Sequence, residues 1–170
     1  MRYGHRITRD YRVTSHCCLV ARAFGAEKIV IDGLEDASLA GEFENIVKNW
    51  GGSFKIEFTD SWKKTLLHYK NSGFKVVHAT MYGKPLSREI VKIRKYNKIL
   101  VVIGSQKVEK EVYELSDHNV SVTLQPHSEI AALAVILDHV FEGAELNKKF
   151  ENAKLKIVPC DKGKKILRNE

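Results

Sequence analysis

Short runs of apolar, mostly β-branched residues alternate with longer amphipathic stretches along most of the chain. The apolar runs are typical of strands, and the amphipathic stretches have the spacing of helices. The pattern predicts strands over residues 28–31, 54–58, 75–79, 99–103 and 120–123. It predicts helices over residues 13–24, 38–49, 60–71, from 87 onward, 110–115 and 128–141.

This alternation predicts an α/β fold with a mostly parallel sheet flanked by helices. The continuous apolar run over residues 99–103 is typical of a strand that is buried on both faces. We expect a turn at residues 81–85, and Thr14 or Ser15 as the cap of the first helix. No internal repeat or linker interrupts the pattern, so we expect a single domain over residues 1–170 with a basic tail from about residue 148.

The basic residues are concentrated at the two ends of the chain. The 28 Lys and Arg against 21 Asp and Glu give a formal charge of +7. Residues 1–30 carry +4 and residues 148–170 carry +5, whereas residues 31–147 carry −2. Clustering of this kind favours contact with phosphate groups, as in nucleic acid. Few aromatic residues lie near either cluster, so backbone contact is better supported than base stacking.

Several classes of protein are disfavoured by the same sequence. No run approaches the roughly 18 apolar residues of a membrane span, and residues 1–10 have no apolar core of a signal peptide, so we expect a cytoplasmic protein. The cysteines have no zinc spacing and the histidines form no H-x-x-x-H pair, so no metal is expected. The absence of G-x-G-x-x-G and of G-x-x-x-x-G-K-[ST] weakens NAD, FAD and ATP as cofactors.

Ligands of open parallel sheets bind at the carboxyl ends of the strands, which here are residues 79–83, 104–108 and 123–129. Each segment combines small or polar residues with apolar ones. His127, Ser128 and Glu129 could form a catalytic cluster, but they are better explained by a helix start, with Ser128 as the cap and Glu129 at the positive end of the helix. A hydrolase would also need a G-x-S-x-G elbow, which is absent.

Four segments together resemble one family: GHRITRDYRVTSHCCLVARAFGA, TMYG, VIGSQKVEKEVYEL and NVSVTLQPHSEIAALAVILDHVFEG. The resemblance is to the archaeal tRNA cytidine-56 2′-O-methyltransferases of the SPOUT class, and it runs from about residue 4 to residue 166. It implies a C-terminal deep trefoil knot, a homodimer whose sites lie near the subunit interface, and S-adenosylmethionine as cofactor. It places the cofactor on these residues: Ala79, Gly104, Ser105, Gln106, Lys107, Val108, Val122, Thr123, Leu124, Gln125, Pro126, His127, Ser128 and Glu129.

The reaction that the resemblance implies is methyl transfer to a ribose 2′-hydroxyl in the T-loop of tRNA, without a metal. Arg12 is the first candidate for the catalytic arginine, with Arg9 and Arg6 behind it and His16 as a weaker candidate base. Because a guanidinium stays protonated, we expect it to stabilise the developing alkoxide and to hold a phosphate. The expected RNA-binding residues are Arg6, Arg9, Arg12, Lys162, Lys164 and Lys165.

Two other functions remain open from the residues alone. One is a basic α/β protein that binds structured RNA without catalysis. The other is a flavodoxin-like enzyme acting on small nucleotides, which would leave the two basic ends unexplained.

Overall fold

The computed structural model describes residues 1–104 and 108–169. Within them, six strands form one sheet: β1 (Arg2–His5), β2 (Lys28–Gly33), β3 (Lys55–Thr59), β4 (Lys75–Pro85), β5 (Ile99–Gly104) and β6 (His118–Ser121). All neighbouring strands pair in parallel, in the order β3-β2-β1-β5-β4-β6. The prediction of a mostly parallel sheet flanked by helices is therefore confirmed.

Helices cover both faces of this sheet. They are α1 (Ile7–Ala23), α2 (Ala37–Trp50), α3 (Trp62–Asn71), α4 (Leu86–Ile93), α5 (Lys110–Leu115) and α6 (Glu129–Phe141). The apolar sides of α1, α2, α4 and α6 pack on one face, through buried residues such as Cys17, Leu39 and Ile136. Those of α3 and α5 pack on the other, around Leu66 and Val112. The sheet is thus buried on both sides, as parallel sheets are.

The central strand β1 was not predicted from the sequence. Its four residues, RYGH, contain no apolar run, and Arg2 and His5 are both buried. The first helix also begins earlier than predicted, at Ile7 instead of residue 13. Thr14 does not cap it, because its hydroxyl lies 2.9 Å from His5 Nδ1 in the interior. Asp10 supports the helix start instead, by accepting a hydrogen bond from the Arg6 backbone N–H.

The turn expected at residues 81–85 is part of β4, which continues to Pro85. Its pairing with β6 is interrupted by an irregularity, since Ala79 and Lys84 both pair with Val120. Residues 80–83 lie between these two pairs and are called the excursion below. Strand β6 spans His118–Ser121 and so begins and ends two residues earlier than predicted. Gly83 allows the close approach, because a Cβ there would lie 2.5 Å from backbone atoms of Asn119 and Val120.

Replacing Gly83 with alanine should therefore destabilise the fold. Overlap with backbone atoms cannot be relieved by a side-chain rotation, so we expect Gly83→Ala to lower the free energy of unfolding by about 1–3 kcal/mol. Gly41→Ala is the matched control, since a Cβ at this position in α2 has nothing within 4 Å. It should leave stability unchanged or raise it by up to about 1 kcal/mol. Urea denaturation of both variants measures the difference, and equal effects would contradict the steric explanation.

The basic C-terminal segment contains its own structure. A 3-10 turn (Ala144–Asn147) is followed by β7 (Leu155–Ile157) and β8 (Ile166–Arg168), which pair antiparallel. Before the hairpin, Phe150 lies under the Arg22 guanidinium, 4.6 Å from it, and Glu151 O accepts a hydrogen bond from Gly52 N–H. These contacts join the segment to α1 and α2. Between the two strands lie three exposed lysines: Lys162, Lys164 and Lys165.

Candidate functional site

A cavity of about 240 Å³ lies at the carboxyl ends of β4, β5 and β6, beside the start of α6. The edge of the sheet that the sequence analysis selected is therefore the edge that carries it. The excursion after Ala79, the end of β5 at Gly104 and the loop before Glu129 all contribute to its wall. Its described lining residues are His78, Ala79, Thr80, Met81, Tyr82, Ile103, Gly104, Val108, Tyr113, Val120, Val122, Pro126, His127, Glu129 and Ala132.

Seven of the expected cofactor-binding residues meet at this cavity: Ala79, Gly104, Val108, Val122, Pro126, His127 and Glu129. Four others, Thr123, Leu124, Gln125 and Ser128, belong to the same loop but are not among its lining residues. The Thr123 hydroxyl accepts a hydrogen bond from Gln125 N–H, which closes a tight turn and leaves Leu124 exposed. Ser128 caps α6 by accepting from Ile130 N–H, as the alternative interpretation predicted. Ser105, Gln106 and Lys107 lie outside the described residues.

His78 and Tyr113 line the cavity but were not expected there. His78 Nδ1 lies 2.9 Å from Asn119 Oδ1, and Asn119 Nδ2 donates to the Tyr113 carbonyl, also at 2.9 Å. Because the amide nitrogen donates to Tyr113, the amide oxygen of Asn119 faces His78 and can only accept a hydrogen bond. His78 therefore carries its proton on Nδ1. Burial lowers the pKa of His78, which keeps the ring neutral. The Tyr113 hydroxyl is 3.1 Å from Thr80 Oγ1 and thereby fastens the excursion to α5.

A buried ion pair lies behind one wall of the cavity. The Arg2 side chain on β1 is completely buried, and its Nη2 is 3.2 Å from Glu129 Oε1. The two atoms lack hydrogen-bond geometry, so the attraction is mainly between the charges. Burial raises the pKa of Glu129, and the Arg2 charge opposes that rise. In the sequence Arg2 was counted only as part of a basic surface cluster, since nothing local marks it as buried.

The three candidate arginines lie on or just before α1, outside the described lining of the cavity. The Arg6 side chain is half exposed, and its Nε lies 3.1 Å from Asp10 Oδ2. Burial would raise the pKa of Asp10, but the hydrogen bonds and charge of Arg6 bring it below its ordinary value. Arg9 and Arg12 are exposed, so both guanidinium groups are accessible to a ligand.

A second, more open pocket of about 500 Å³ begins where Arg6 starts α1. It lies at the ends of β1 and β2, and β1 is the neighbour of β5 in the sheet, so the two pockets share one edge. The edge thus presents two neighbouring pockets, and the half-exposed Arg6 side chain belongs to the lining of the second. Lining the second pocket are His5, Arg6, Ile7, Thr8, Gly33, Leu34 and Asp60.

Residues 1–104 and 108–169 contain neither a metal-binding cluster nor a membrane-spanning helix. No group of three or more His, Cys, Asp or Glu side chains there could hold a metal ion. None of the helices in these ranges has the length and hydropathy needed to cross a bilayer.

The chain matches the family of tRNA ribose 2′-O-methyltransferases described as aTrm56 over residues 50–167. It is 51% identical to a tRNA (cytidine(56)-2′-O)-methyltransferase of Thermococcus kodakarensis, over 100% of this chain and 96% of the relative. It is 48% identical to the protein of that name from Methanopyrus kandleri, over 99% of this chain and 94% of the relative.

The fold is also similar to those of solved methyltransferases. A TrmH/SpoU tRNA modifying enzyme of A. aeolicus has a TM-score of 0.59 at 18% identity, covering 79% of this chain and 70% of that one. The SpoU methyltransferase AviRb from Streptomyces viridochromogenes, in complex with AdoMet, has a TM-score of 0.56 at 14% identity. That match covers 75% of this chain and 54% of AviRb. These matches show the fold, and the family match with the sequence identities over almost the whole chain shows that the chain belongs to the aTrm56 family of tRNA ribose 2′-O-methyltransferases.

Proposed function

We propose that this chain transfers a methyl group from S-adenosylmethionine to the ribose 2′-hydroxyl of cytidine 56 in the T-loop of tRNA. The observation that carries the proposal is the identity of about half of all residues to relatives named for this reaction. The cavity and the exposed arginines at the start of α1 would supply the two sites that such a transfer needs. Since tRNA is the substrate, the reaction would take place in the cytoplasm.

The cavity suits the proposed cofactor. Ile103, Val108 and Val122 offer apolar surface to an adenine. The exposed backbone of the strand ends offers N–H and C=O groups for hydrogen bonds. The solved AviRb complex supports the assignment, because AdoMet is bound there to a protein of similar fold. When bound, the cofactor supplies a methyl group activated by a positively charged sulfur.

The protein has to position the 2′-hydroxyl and to stabilise the charge that develops as its proton leaves. Arg12 is assigned this role, with Arg9 and Arg6 as neighbouring phosphate contacts. A guanidinium donates several hydrogen bonds in a fixed geometry, so one side chain serves both an oxyanion and the adjacent phosphate.

The position of these arginines supports the proposed homodimer. They lie outside the cavity of their own chain, so we assign the completion of each site to the α1 of a partner subunit. Leu19 on α1 and Phe141 on α6 are exposed apolar residues on two helices that pack together, which suits an interface there.

We also propose that the single domain is closed by a C-terminal trefoil knot around the cavity loops. The hairpin lysines at 162, 164 and 165 would contact the tRNA backbone.

Mapping of modified nucleotides by mass spectrometry tests the function. An unmodified tRNA transcript incubated with the protein and S-adenosylmethionine should gain one methyl group on the ribose of cytidine 56. A transcript with uridine at that position is the control and should gain none or far less. Methylation of a base, or RNA binding without methyl transfer, would contradict the proposal; the second result would favour the non-catalytic RNA-binding protein.

A further inference from the structure

The ion pair between Arg2 and Glu129 has no part in the mechanism above. Arg2 is completely buried, and its Nε and Nη2 have no hydrogen-bond partner among the described residues. Burying a guanidinium with so few partners costs several kcal/mol, and apolar side chains at such positions are often more stable. A buried charge of this kind, next to a cavity, is where a functional role is expected.

Glu129 connects this buried charge to the proposed cofactor site. Its Oε1 is buried against Arg2, while the side chain keeps 18% of its exposure and lines the cavity. Ala132, one helical turn later, lines the cavity as well, so this side of α6 forms one wall. The ion pair therefore lies between the hydrophobic core and the cavity, with the carboxylate on the cavity side.

The charge of the cavity wall is negative at this point. Among the lining residues that the structure describes, Glu129 alone carries a carboxylate, and none is Lys or Arg. The nearby His78 is held neutral. A ligand with a positive charge would be attracted to such a wall, because the Glu129 side chain is only 18% exposed and its charge is weakly screened by solvent.

We propose that Glu129 is the counter-charge for the sulfonium of the methyl donor and makes the cavity prefer the charged donor over its uncharged thioether product. This inference rests on the proposed function, because it takes S-adenosylmethionine as the ligand. The carboxylate then distinguishes the two ligands physically, since charge and shape both hold the donor, whereas shape alone holds the product S-adenosylhomocysteine. Preference of this sign favours product release after each transfer.

Arg2 is then a positioning residue that favours the ionised form of Glu129. The charged groups that act on this carboxyl are Arg2 from β1 and Asp10 from α1, with the thiol of Cys17 nearby. Burial raises the pKa of Glu129 and the charge of Asp10 adds to that rise, whereas the charge of Arg2 and a backbone hydrogen bond oppose it. Without the guanidinium, a larger share of the carboxyl would be protonated at neutral pH and the counter-charge would be lost.

Titration calorimetry with donor and product separately tests the inference. In Glu129→Gln, we expect the affinity for S-adenosylmethionine to fall about tenfold or more and the affinity for S-adenosylhomocysteine to change less than about threefold. Glu142→Gln is the matched control: it removes an exposed carboxylate paired with Arg94 just after α6 and should change neither affinity. Equal losses for both ligands, or no loss for either, would overturn the proposal.

A double variant separates this role from a purely structural one. Glu129→Gln leaves a buried arginine unpaired and is expected to lower thermal stability, whereas Arg2→Met with Glu129→Gln removes both charges and should recover part of it. Preference for the donor should nevertheless stay lost in the double variant. Its return would mean that the pair serves stability alone. Failure of the unmodified chain to bind either ligand would instead overturn the proposed cofactor, and this inference with it.

Discussion

Arg12→Ala should lose about 10²- to 10³-fold in methyl-transfer turnover while its affinity for S-adenosylmethionine stays within about threefold. The guanidinium is exposed on α1 and lies outside the described lining of its own chain's cavity. Its removal should therefore leave the cofactor site intact and take away the charge that stabilises the reacting oxygen. Single-turnover methylation of tRNA measures the chemical step, and calorimetry with the cofactor alone measures binding.

Arg88→Ala is the matched control for this experiment. Arg88 is also an exposed arginine near the start of a helix, on α4, and its loss changes the net charge by the same amount. It should retain near wild-type turnover. Arg12→Lys keeps the charge but not the planar fork, so we expect intermediate turnover. Turnover of Arg12→Ala within about threefold of wild type would remove Arg12 from the mechanism and transfer the role to Arg9 or Arg6.

The strands and helices that could be predicted are those whose own residues form a continuous or periodic apolar pattern. The strand at 99–103 and the helix at 128–141 are continuous or periodic in apolar residues, and both were found within one residue of the predicted bounds. Strand β1 was missed because its burial depends on distant partners. In the core, Arg2 pairs with Glu129 and His5 contacts Thr14. Neither contact can be predicted from the four residues of the strand alone.

The candidate site also has residues that could be predicted from the sequence and residues that could not. Carboxyl ends of parallel strands share one edge, so Ala79, Gly104 and Val122 could be brought together before any contact was known. Tyr113 could not, because it reaches the cavity from α5 through its contact with Thr80. A turn was predicted at residues 81–85, where a glycine precedes a lysine and a proline. The pairing of Lys84 and Pro85 with β6 shows instead that the strand resumes there, and the close contact of Gly83 with β6 makes this possible.

Gly104→Val should abolish cofactor binding and leave tRNA binding nearly unchanged. A Cβ at this position would lie 2.6 Å from Val108 Cγ2 and 3.7 Å from the Tyr3 ring, so a valine there would displace Val108, which lines the cavity. We expect the affinity for S-adenosylmethionine to fall on the order of 100-fold, about 2.7 kcal/mol. Calorimetry measures that loss. Filter binding of tRNA provides the second readout, because the arginines and hairpin lysines are untouched.

Mixing this variant with Arg12→Ala extends the experiment to the proposed dimer. Each variant alone should be nearly inactive. If the arginine serves the partner's cavity, a mixed dimer has one site in which both Gly104 and Arg12 are intact, so an equimolar, re-equilibrated mixture should recover about a quarter of wild-type activity. If both residues act within one chain, every site in the mixture lacks one of them and no activity returns. Unchanged cofactor affinity in Gly104→Val would contradict the placement of the cofactor in this cavity.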